Sequence, residues 1–347
     1  MCSAFADVTY RCPQTGHLQT IPKLSEAFGP GPWVIVSPHD DDVILGMGML
    51  TAAAKEEGID VHVVVVSDGR MGYADPAEKE TIVETRQQEL IRALSQLEIT
   101  KDHVHFLGLP DGALVLHEGC NPEGTGLGQR LTAILRKIQS TVVFGPTPRD
   151  LHPDHRVTSR ELDMACCWAG SDIWREMGPV LSPVKRFNYA VYCAFPEPPE
   201  FQIKSDPNLF EKKLNALRCF ESQTCIHDMV ERLKSDGPVE YIHEAHWEPY
   251  QPSTYAHLFE EENDEDFGAG YRADCMAVTL MLAHWSPTPW PQLTSALEAA
   301  KDHPLLLAAE GSSRLFPSQF LEHLLKHYGH TARIDSAGGR EARGLIE

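Results

Sequence analysis

The sequence lacks the features that mark membrane, secreted and nucleic-acid-binding proteins. Its 30 Lys and Arg residues stand against 50 Asp and Glu, giving a formal net charge of −20, whereas nucleic acids and anionic membranes are bound by clustered basic residues. No apolar run approaches the roughly 18 residues of a membrane-spanning helix. The N-terminus shows no secretory signal. We therefore expect a cytoplasmic protein without a nucleic-acid or membrane partner.

The nine cysteines form no CxxC pair. An odd number of cysteines without that spacing fits neither a disulfide framework nor a zinc ribbon. A chain of 347 residues can also bury a sufficient core without such crosslinks. The cysteine pattern is therefore typical of a protein from a reducing compartment.

Short apolar runs alternate with helical patterns over most of the chain. Strands are predicted at 33–37, 61–67, 103–106, 141–145 and 187–195, and helices near 43–57, 79–97, 127–139, 156–168 and 208–221. This alternation predicts an α/β fold, a Rossmann-like parallel sheet with helices on both faces. We expect this domain over residues 28–250, followed by an acidic C-terminal extension of unknown role over 251–347.

Two polar clusters follow apolar strands. Residues 39–42 (HDDD) come after the first predicted strand, and residues 152–155 (HPDH) come after the fourth. In a doubly wound sheet ordered 3-2-1-4-5 these two strands are neighbours, and ligands bind at their carboxyl ends. Either cluster alone would be read as a solvated helix N-cap or a polar loop. Together they predict one shared site.

The residue types in the two clusters suit metal-dependent hydrolysis. Two imidazoles and one carboxylate make a three-ligand site with an open position for water. Zinc lowers the pKa of bound water to about 7 and polarises a carbonyl group. A second carboxylate can then take the proton of the water, and a further histidine can stabilise the oxyanion. Fe(II) would also suit such a ligand set.

Four separated segments resemble the PIG-L/LmbE family of zinc-dependent N-acetylglucosamine deacetylases: VSPHDDDVILGMG, VSDGRMGY, LGLPDG and PTPRDLHPDHR. The resemblance covers roughly residues 30–225 and includes a late segment, Ser222-Gln223, after a helix that carries Lys213. The DGRMGYADP loop is most similar to bacterial and archaeal branches that act on small N-acetylglucosamine conjugates or chitooligosaccharides.

The resemblance implies specific roles for the clustered residues. Its metal ligands would be His39, Asp42 and His155. Asp41 would be the general base, His152 the electrophilic or general-acid histidine, and Asp154 the residue that orients His152. The implied cofactor is Zn²⁺.

The first cluster departs from the family pattern at two positions. The family often has Pro or Ala where this chain has Asp40, and often has Glu at or next to Val43. The additional aspartate leaves two registers for the catalytic pair, Asp40-Asp41 or Asp41-Asp42. We favour Asp41-Asp42 because the following VILGMG then keeps its position at the start of a helix.

Substrate contacts are predicted in two loops. Arg70 lies in the loop after the second strand, where the family places sugar-binding polar residues, although a surface arginine is an equal alternative. Asp111, in LGLPDG, could accept hydrogen bonds from sugar hydroxyls, although a structural role in a turn is the alternative. Some relatives are oligomers in which a residue of a neighbouring chain completes the pocket. A homo-oligomer is therefore one possibility for this chain, and His284 is a candidate for such a residue.

The sequence predicts a metal-dependent hydrolase that removes the N-acetyl group of a small N-acetylglucosamine-type substrate, releasing acetate and an amine. One alternative is an amidase that cleaves a larger amide, like the related mycothiol-conjugate amidases. Another is a non-catalytic metal-binding protein. A dinucleotide-binding oxidoreductase is excluded, because the first strand is followed by PHDDD rather than GxGxxG.

Overall fold

The computed structural model describes residues 6–13 and 15–245, together with the backbone of three short strands between residues 305 and 346. The chain divides into two units, Met1–Trp247 and Glu248–Glu347. All the residues predicted for the functional site lie in the first unit.

The first unit contains nine strands and seven helices in its described part. The strands are β1 (Ala6–Arg11), β2 (Leu18–Ile21), β3 (Trp33–Ser37), β4 (Val61–Ser67), β5 (Val104–Leu109), β6 (Val142–Pro146), β7 (Lys185–Tyr189), β8 (Phe201–Ser205) and β9 (Val239–Glu244). The helices are α1 (Leu24–Ala27), α2 (Asp42–Glu56), α3 (Ile82–Gln96), α4 (Leu127–Ile138), α5 (Pro153–Ala169), α6 (Pro207–Leu217) and α7 (Ile226–Asp236).

The strands form one mixed sheet in the order β2-β1-β8-β9-β7-β6-β3-β4-β5. The five strands from β7 to β5 are parallel, and β3 lies between β4 and β6. This confirms the predicted α/β class and the predicted 3-2-1-4-5 order, with β3 as the first strand and β6 as the fourth. Because the winding reverses between β3 and β6, the loops after these strands open into one crevice.

Both faces of the central strands β3, β4 and β6 are buried, which explains their unbroken apolar runs. Helices α2, α3 and α6 contribute to the core on one face, and α4 and α5 to the core on the other. Successive residues of β3 and β4 alternate between these cores, as the period of two in a strand requires. Trp33, Ile35, Val63 and Val65 belong to the first core, and Val34, Val36, Val64 and Val66 to the second.

The antiparallel strands correct the expectation of a purely parallel sheet. Strands β1, β8 and β9 continue the sheet beyond β7, and β2 forms its edge. Strand β2 is mostly exposed, and polar or charged residues interrupt β1, β8 and β9. These strands therefore lack the continuous apolar runs that identify the central strands. Strands β1 and β2 also precede residue 28, the predicted start of the domain; that boundary itself stays a prediction.

The second unit contains three described strands, β10 (Leu305–Leu307), β11 (Ala332–Ala337) and β12 (Glu341–Ile346), in the antiparallel order β10-β12-β11. The acidic run at 260–266 and His284 lie outside the described residues. Each helix of the described part is too short or too polar to cross a bilayer.

Helix α2, which begins at the first polar cluster, is interrupted at Met47, where φ is −151° and ψ is 31°. A Cβ at Gly46 would overlap the ring of Tyr189, so the close approach requires glycine. The interruption frees backbone groups that buried charges satisfy. Lys213 Nζ donates to the Leu45 carbonyl at 2.8 Å, and the Glu240 carboxylate accepts from the Met49 and Leu50 N–H groups at 2.9 Å.

The same two side chains form a buried ion pair, with 2.7 Å between Lys213 Nζ and Glu240 Oε1. Breaking a buried pair by removing one partner typically costs about 3–5 kcal/mol, because the other charge is left uncompensated. We therefore expect Glu240→Ala to lower the free energy of unfolding by about this amount, measured by urea denaturation. Glu231→Ala, which removes an exposed ion pair with Lys234, is the matched control and should cost about 1 kcal/mol or less. Equal losses in the two variants would contradict this account of the helix break.

Candidate metal centre

The two polar clusters meet at the carboxyl ends of β3 and β6. The carboxylate oxygen Oδ2 of Asp42 lies 3.1 Å from His39 Nδ1 and 3.0 Å from His155 Nε2, and these two nitrogens are 3.2 Å apart. Asp42 and His155 are fully buried, and His39 is nearly so. Three potential ligand atoms of types that bind zinc therefore converge on one point.

The spacing of these atoms fits a divalent ion. Ligands at about 2.0–2.2 Å from a tetrahedral zinc lie about 3.3–3.6 Å apart, close to the observed separations. The second carboxylate oxygen of Asp42, Oδ1, is buried without a hydrogen-bond partner in the described part of the chain. A buried charged oxygen is costly to leave unpaired, and a bound cation would remove that cost. His39, Asp42 and His155 are thus the residues that could hold a metal.

Two further groupings share His39. One nitrogen each from His39, His152 and His155 lies within 4.8 Å of the others, as do atoms of His39, Asp111 and Asp154. The atoms of the Asp42 grouping lie 3.0–3.2 Å from one another, the spacing that suits one ion, so we take it as the candidate ligand set.

A carboxylate oxygen lies close to the second nitrogen of each imidazole. Asp111 Oδ1 lies 3.2 Å from His39 Nε2, and Asp150 Oδ2 lies 3.3 Å from His155 Nδ1. Each carboxylate favours a proton on the nitrogen that it faces, which leaves the lone pair of the other nitrogen toward Asp42. Such carboxylate–histidine pairs commonly support zinc sites. Asp111, predicted to contact substrate, therefore also has a positioning role, and its substrate contact stays a prediction.

The electrostatics of the cluster are those of an anionic pocket. Burial favours neutral imidazole, but the Asp42 and Asp150 carboxylates outweigh it and raise the pKa of His155 to about 9. Burial also disfavours the charge on Asp42, yet His155 and His39 hold the pKa of Asp42 well below its usual range. Without a metal the two imidazoles supply the positive charge that this carboxylate needs. A bound dication would displace the protons of the two imidazoles and supply that positive charge itself.

The contacts of Asp40 separate the two registers. Its carboxylate accepts a bidentate pair of hydrogen bonds from Arg86, through Nε at 2.7 Å and through Nη2. Asp42, rather than Asp41, faces the two imidazoles. The geometry therefore agrees with Asp41-Asp42 as the family pair, and gives Asp40 to an arginine on α3.

Asp41 follows Asp40 in the same turn, and its carboxylate has one long ion pair. In the described part of the chain it makes one ion pair, 3.7 Å from Arg86 Nη2, and no shorter hydrogen bond. Burial, opposed by Arg86 and reinforced by the carboxylates of Asp42 and Asp40, raises the pKa of Asp41 to about 6. A buried carboxylate with a raised pKa accepts a proton more readily than an ordinary aspartate.

His152 is the N-cap of α5 and is half-buried beside the imidazoles. Its Nδ1 accepts a hydrogen bond from the backbone N–H of Asp154 at 3.2 Å, so the proton of the neutral ring lies on Nε2. Burial and the neighbouring His39 and His155 lower the pKa of His152, which favours that neutral form. The carboxylate of Asp154 instead accepts from the Gly112 N–H at 2.7 Å. Asp154 thus orients His152 through its backbone.

Comparisons with known proteins agree with this geometry. The PIG-L family model, described as GlcNAc-PI de-N-acetylase, matches residues 34–166, which contain every residue of the ligand set. Residues 34–166 are therefore similar to the PIG-L family. The diacetylchitobiose deacetylase of Thermococcus kodakarensis is 29% identical over 206 residues, covering 58% of this chain and 73% of the relative.

Two further relatives extend the comparison. The probable N-acetyl-alpha-D-glucosaminyl L-malate deacetylase 2 of Bacillus subtilis is 25% identical over 226 residues, covering 59% of this chain and 90% of the relative. The structure of the conserved protein TT1542 from Thermus thermophilus matches with a TM-score of 0.52 and 28% identity, covering 63% of this chain and 97% of that one. The fold of the first unit is thus shared with a solved structure.

Arg70 lies in the loop that follows β4. Its guanidinium is paired with the Asp68 carboxylate through Nε at 2.7 Å and through Nη2, and the side chain is about half exposed. Asp68 also accepts from the backbone N–H of Asp111 at 3.2 Å. Arg70 is therefore held next to the loop of Asp111, and its contact with substrate stays a prediction.

Two residues of this site are absent from the predicted set. Arg86, on α3, is buried, and its Nη1 donates to Gln223 Oε1 at 3.0 Å. A Cβ at Gly72 would overlap Arg86, so the second glycine of the DGRMGY segment is a signal of this close approach. Asp150, which lies just before the second polar cluster, faces His155 Nδ1 at 3.3 Å.

The two aspartate registers predict opposite results for a matched pair of substitutions. Asp42→Asn should lose one equivalent of bound metal, because the amide supplies no charge between the two imidazoles. Asp41→Asn should retain it, because Asp41 faces Arg86 rather than the two imidazoles. Metal analysis of both purified variants beside wild type tests this. Loss of metal in Asp41→Asn with retention in Asp42→Asn would favour the alternative register, in which Asp41 is the ligand.

Proposed function

We propose that the first unit, which contains the PIG-L-like residues 34–166, is a metal-dependent N-deacetylase. It releases acetate and a free amine from an N-acetylglucosamine-containing small molecule or oligosaccharide. The observation that carries the proposal is the convergence of His39 Nδ1, Asp42 Oδ2 and His155 Nε2 within 3.0–3.2 Å, with an uncommitted carboxylate beside them. One relative is named a deacetylase of diacetylchitobiose and another a probable deacetylase of N-acetyl-alpha-D-glucosaminyl L-malate, which supports a GlcNAc-type substrate.

Three residues would hold the ion in this proposal: His39, Asp42 and His155. A bound divalent ion would supply Lewis acidity toward the acetamide carbonyl and acidify a coordinated water. Two imidazoles and a carboxylate suit Zn²⁺, and they also suit Fe²⁺. The fully buried Asp42 keeps both imidazoles in place by its negative charge.

Asp41 is proposed as the general base. Its carboxylate lies next to the ligand Asp42 and is free to receive the proton of an attacking water. The pKa of Asp41 is raised to about 6. General bases work best when their pKa lies near the pH of the reaction, so this shift suits the role. The same group could then return the proton to the departing nitrogen.

His152 is proposed to stabilise the oxyanion that forms when water attacks the acetyl group. Its Nε2–H is available because Nδ1 already accepts the Asp154 N–H. A neutral imidazole that donates a hydrogen bond from a fixed position stabilises developing negative charge without reorganisation. The rigid N-terminus of α5 supplies that position.

Asp111 and Arg70 are proposed to contact the sugar, since both lie in loops beside the ligand set. The net charge of −20 favours an uncharged sugar over a phosphate-rich substrate. The catalytic range of 28–250, a cytoplasmic location and a homo-oligomeric state stay part of this proposal rather than findings.

Asp41→Asn tests the general base. We expect turnover to fall by about 10²–10⁴-fold, because the amide cannot accept a proton, while bound metal stays at the wild-type level. Acetate release is the measurement. Asp172→Asn, at an exposed position, is the matched control and should keep the wild-type rate. A wild-type rate in Asp41→Asn would remove Asp41 from this role.

Metal removal tests the class of reaction. Protein stripped with a chelator should release no acetate from N-acetylglucosamine, diacetylchitobiose or a GlcNAc conjugate, and added Zn²⁺ should restore release from at least one of them. Activity that survives in metal-free protein would contradict the proposal. Release of a larger acyl group without acetate would favour the amidase alternative, and no hydrolysis in any arm would favour a non-catalytic metal protein.

A further inference from the structure

We propose that the chain holds a second divalent transition-metal site at the amino-terminal edge of the sheet, bound by Asp60, His62 and His103. We call these three residues the amino-edge cluster. It shares no residue with the His39, Asp42 and His155 set. The ions that fit it are Zn²⁺ and its neighbours, which favour imidazole and carboxylate ligands.

The topology of the sheet brings the three residues together. Asp60 immediately precedes β4, and His62 is the second residue of that strand. His103 immediately precedes β5. Strands β4 and β5 are parallel neighbours, with Val63 paired to Val104, so the residues before the two strands lie side by side. This edge is opposite to the edge that carries the catalytic loops, and the 7 residues of β4 separate the two edges by about 23 Å.

The ligand atoms are spaced for one ion. Asp60 Oδ2 lies 3.4 Å from His62 Nε2, and Asp60 Oδ1 lies 3.2 Å from His103 Nε2. One ligand atom from each residue lies within 4.8 Å of the other two. Ligand atoms around a tetrahedral zinc are about 3.3–3.6 Å apart, so only small side-chain rotations would complete the site. The partial exposure of Asp60 leaves the ion a path from solvent.

Both imidazoles present the nitrogen that a metal needs. His62 Nδ1 lies 3.2 Å from His105 Nε2, and His103 Nδ1 lies 2.9 Å from the hydroxyl of Thr100. A cation bound beside Asp60 would replace the proton on each Nε2, and each Nδ1 would then donate to its own partner, His105 or Thr100. Supporting hydrogen bonds to the non-ligating nitrogen are a regular feature of histidine metal sites. A surface pair between one histidine and one aspartate would not require this arrangement on two rings.

The experiment uses His155→Ala protein, in which the first set has lost a ligand. Metal-free protein is titrated with Zn²⁺ by calorimetry and with Co²⁺ by visible absorption, which reports the ligand geometry. We expect two equivalents of Zn²⁺ in wild type, one in His155→Ala, one in His103→Ala and none in the double variant. Asp60→Asn in the His155→Ala background should also lose the remaining equivalent and the Co²⁺ bands.

His227→Ala is the matched control, since His227 is an exposed histidine of α7, and it should bind two equivalents. No bound Zn²⁺ in His155→Ala, or as many equivalents in His103→Ala as in wild type, would overturn the proposal. The test is separate from the proposed function, because His103→Ala should release acetate at the wild-type rate. Loss of acetate release in that variant, with its fold intact by circular dichroism, would contradict a site distinct from catalysis.

Discussion

The contact of Asp42 with two imidazoles is the interaction on which the rest of the site depends. Asp42 begins α2 after β3, and His155 lies in the first turn of α5 after β6, so one buried carboxylate joins the ends of two adjacent strands. Its charge cannot be accommodated in a dry interior without positive partners. In the metal-free chain the protonated rings of His39 and His155 supply this positive charge. A dication bound by the same rings can supply it instead. The same constraint therefore explains both the burial of these residues and their suitability as ligands.

Negative charge near this contact has to be balanced by other means. Asp40 and Asp41 lie in the same turn as Asp42, and two like charges at short range raise the free energy of the folded state. Arg86 neutralises Asp40 directly and lies 3.7 Å from Asp41. The arginine is held in turn by Gln223, which donates to the Gly72 carbonyl at 2.8 Å. Segments distant in sequence are thus tied to the aspartate turn, which accounts for the late Ser222-Gln223 segment.

The central strands and the shared site could be predicted because each depends on a local pattern. Continuous apolar runs marked β3, β4 and β6, and the polar residues directly after them marked the crevice. The antiparallel strands β1, β2, β8 and β9 carry no such runs, and their pairing depends on distant partners. Lys213 could be associated with the family segment but not with Glu240, because only the interrupted α2 brings the two charges together. Arg86 and Asp150 were missed for the same reason, since burial against a remote side chain leaves little trace in the sequence.

The two histidine clusters show how one sheet edge can differ from the other. At the carboxyl edge the carboxylate of Asp42 is fully buried and an additional carboxylate and histidine stand beside the ligands, so a bound ion would meet groups that can move protons. At the amino edge Asp60 is half exposed, and the neighbours of the imidazoles are a hydroxyl and another histidine. An ion there would therefore lie at a half-exposed position rather than in a closed pocket. Histidine and aspartate ligands therefore suit catalysis at the carboxyl edge, whereas at the amino edge they would link the starts of β4 and β5. The difference comes from the burial of the ligands and from the groups that contact them.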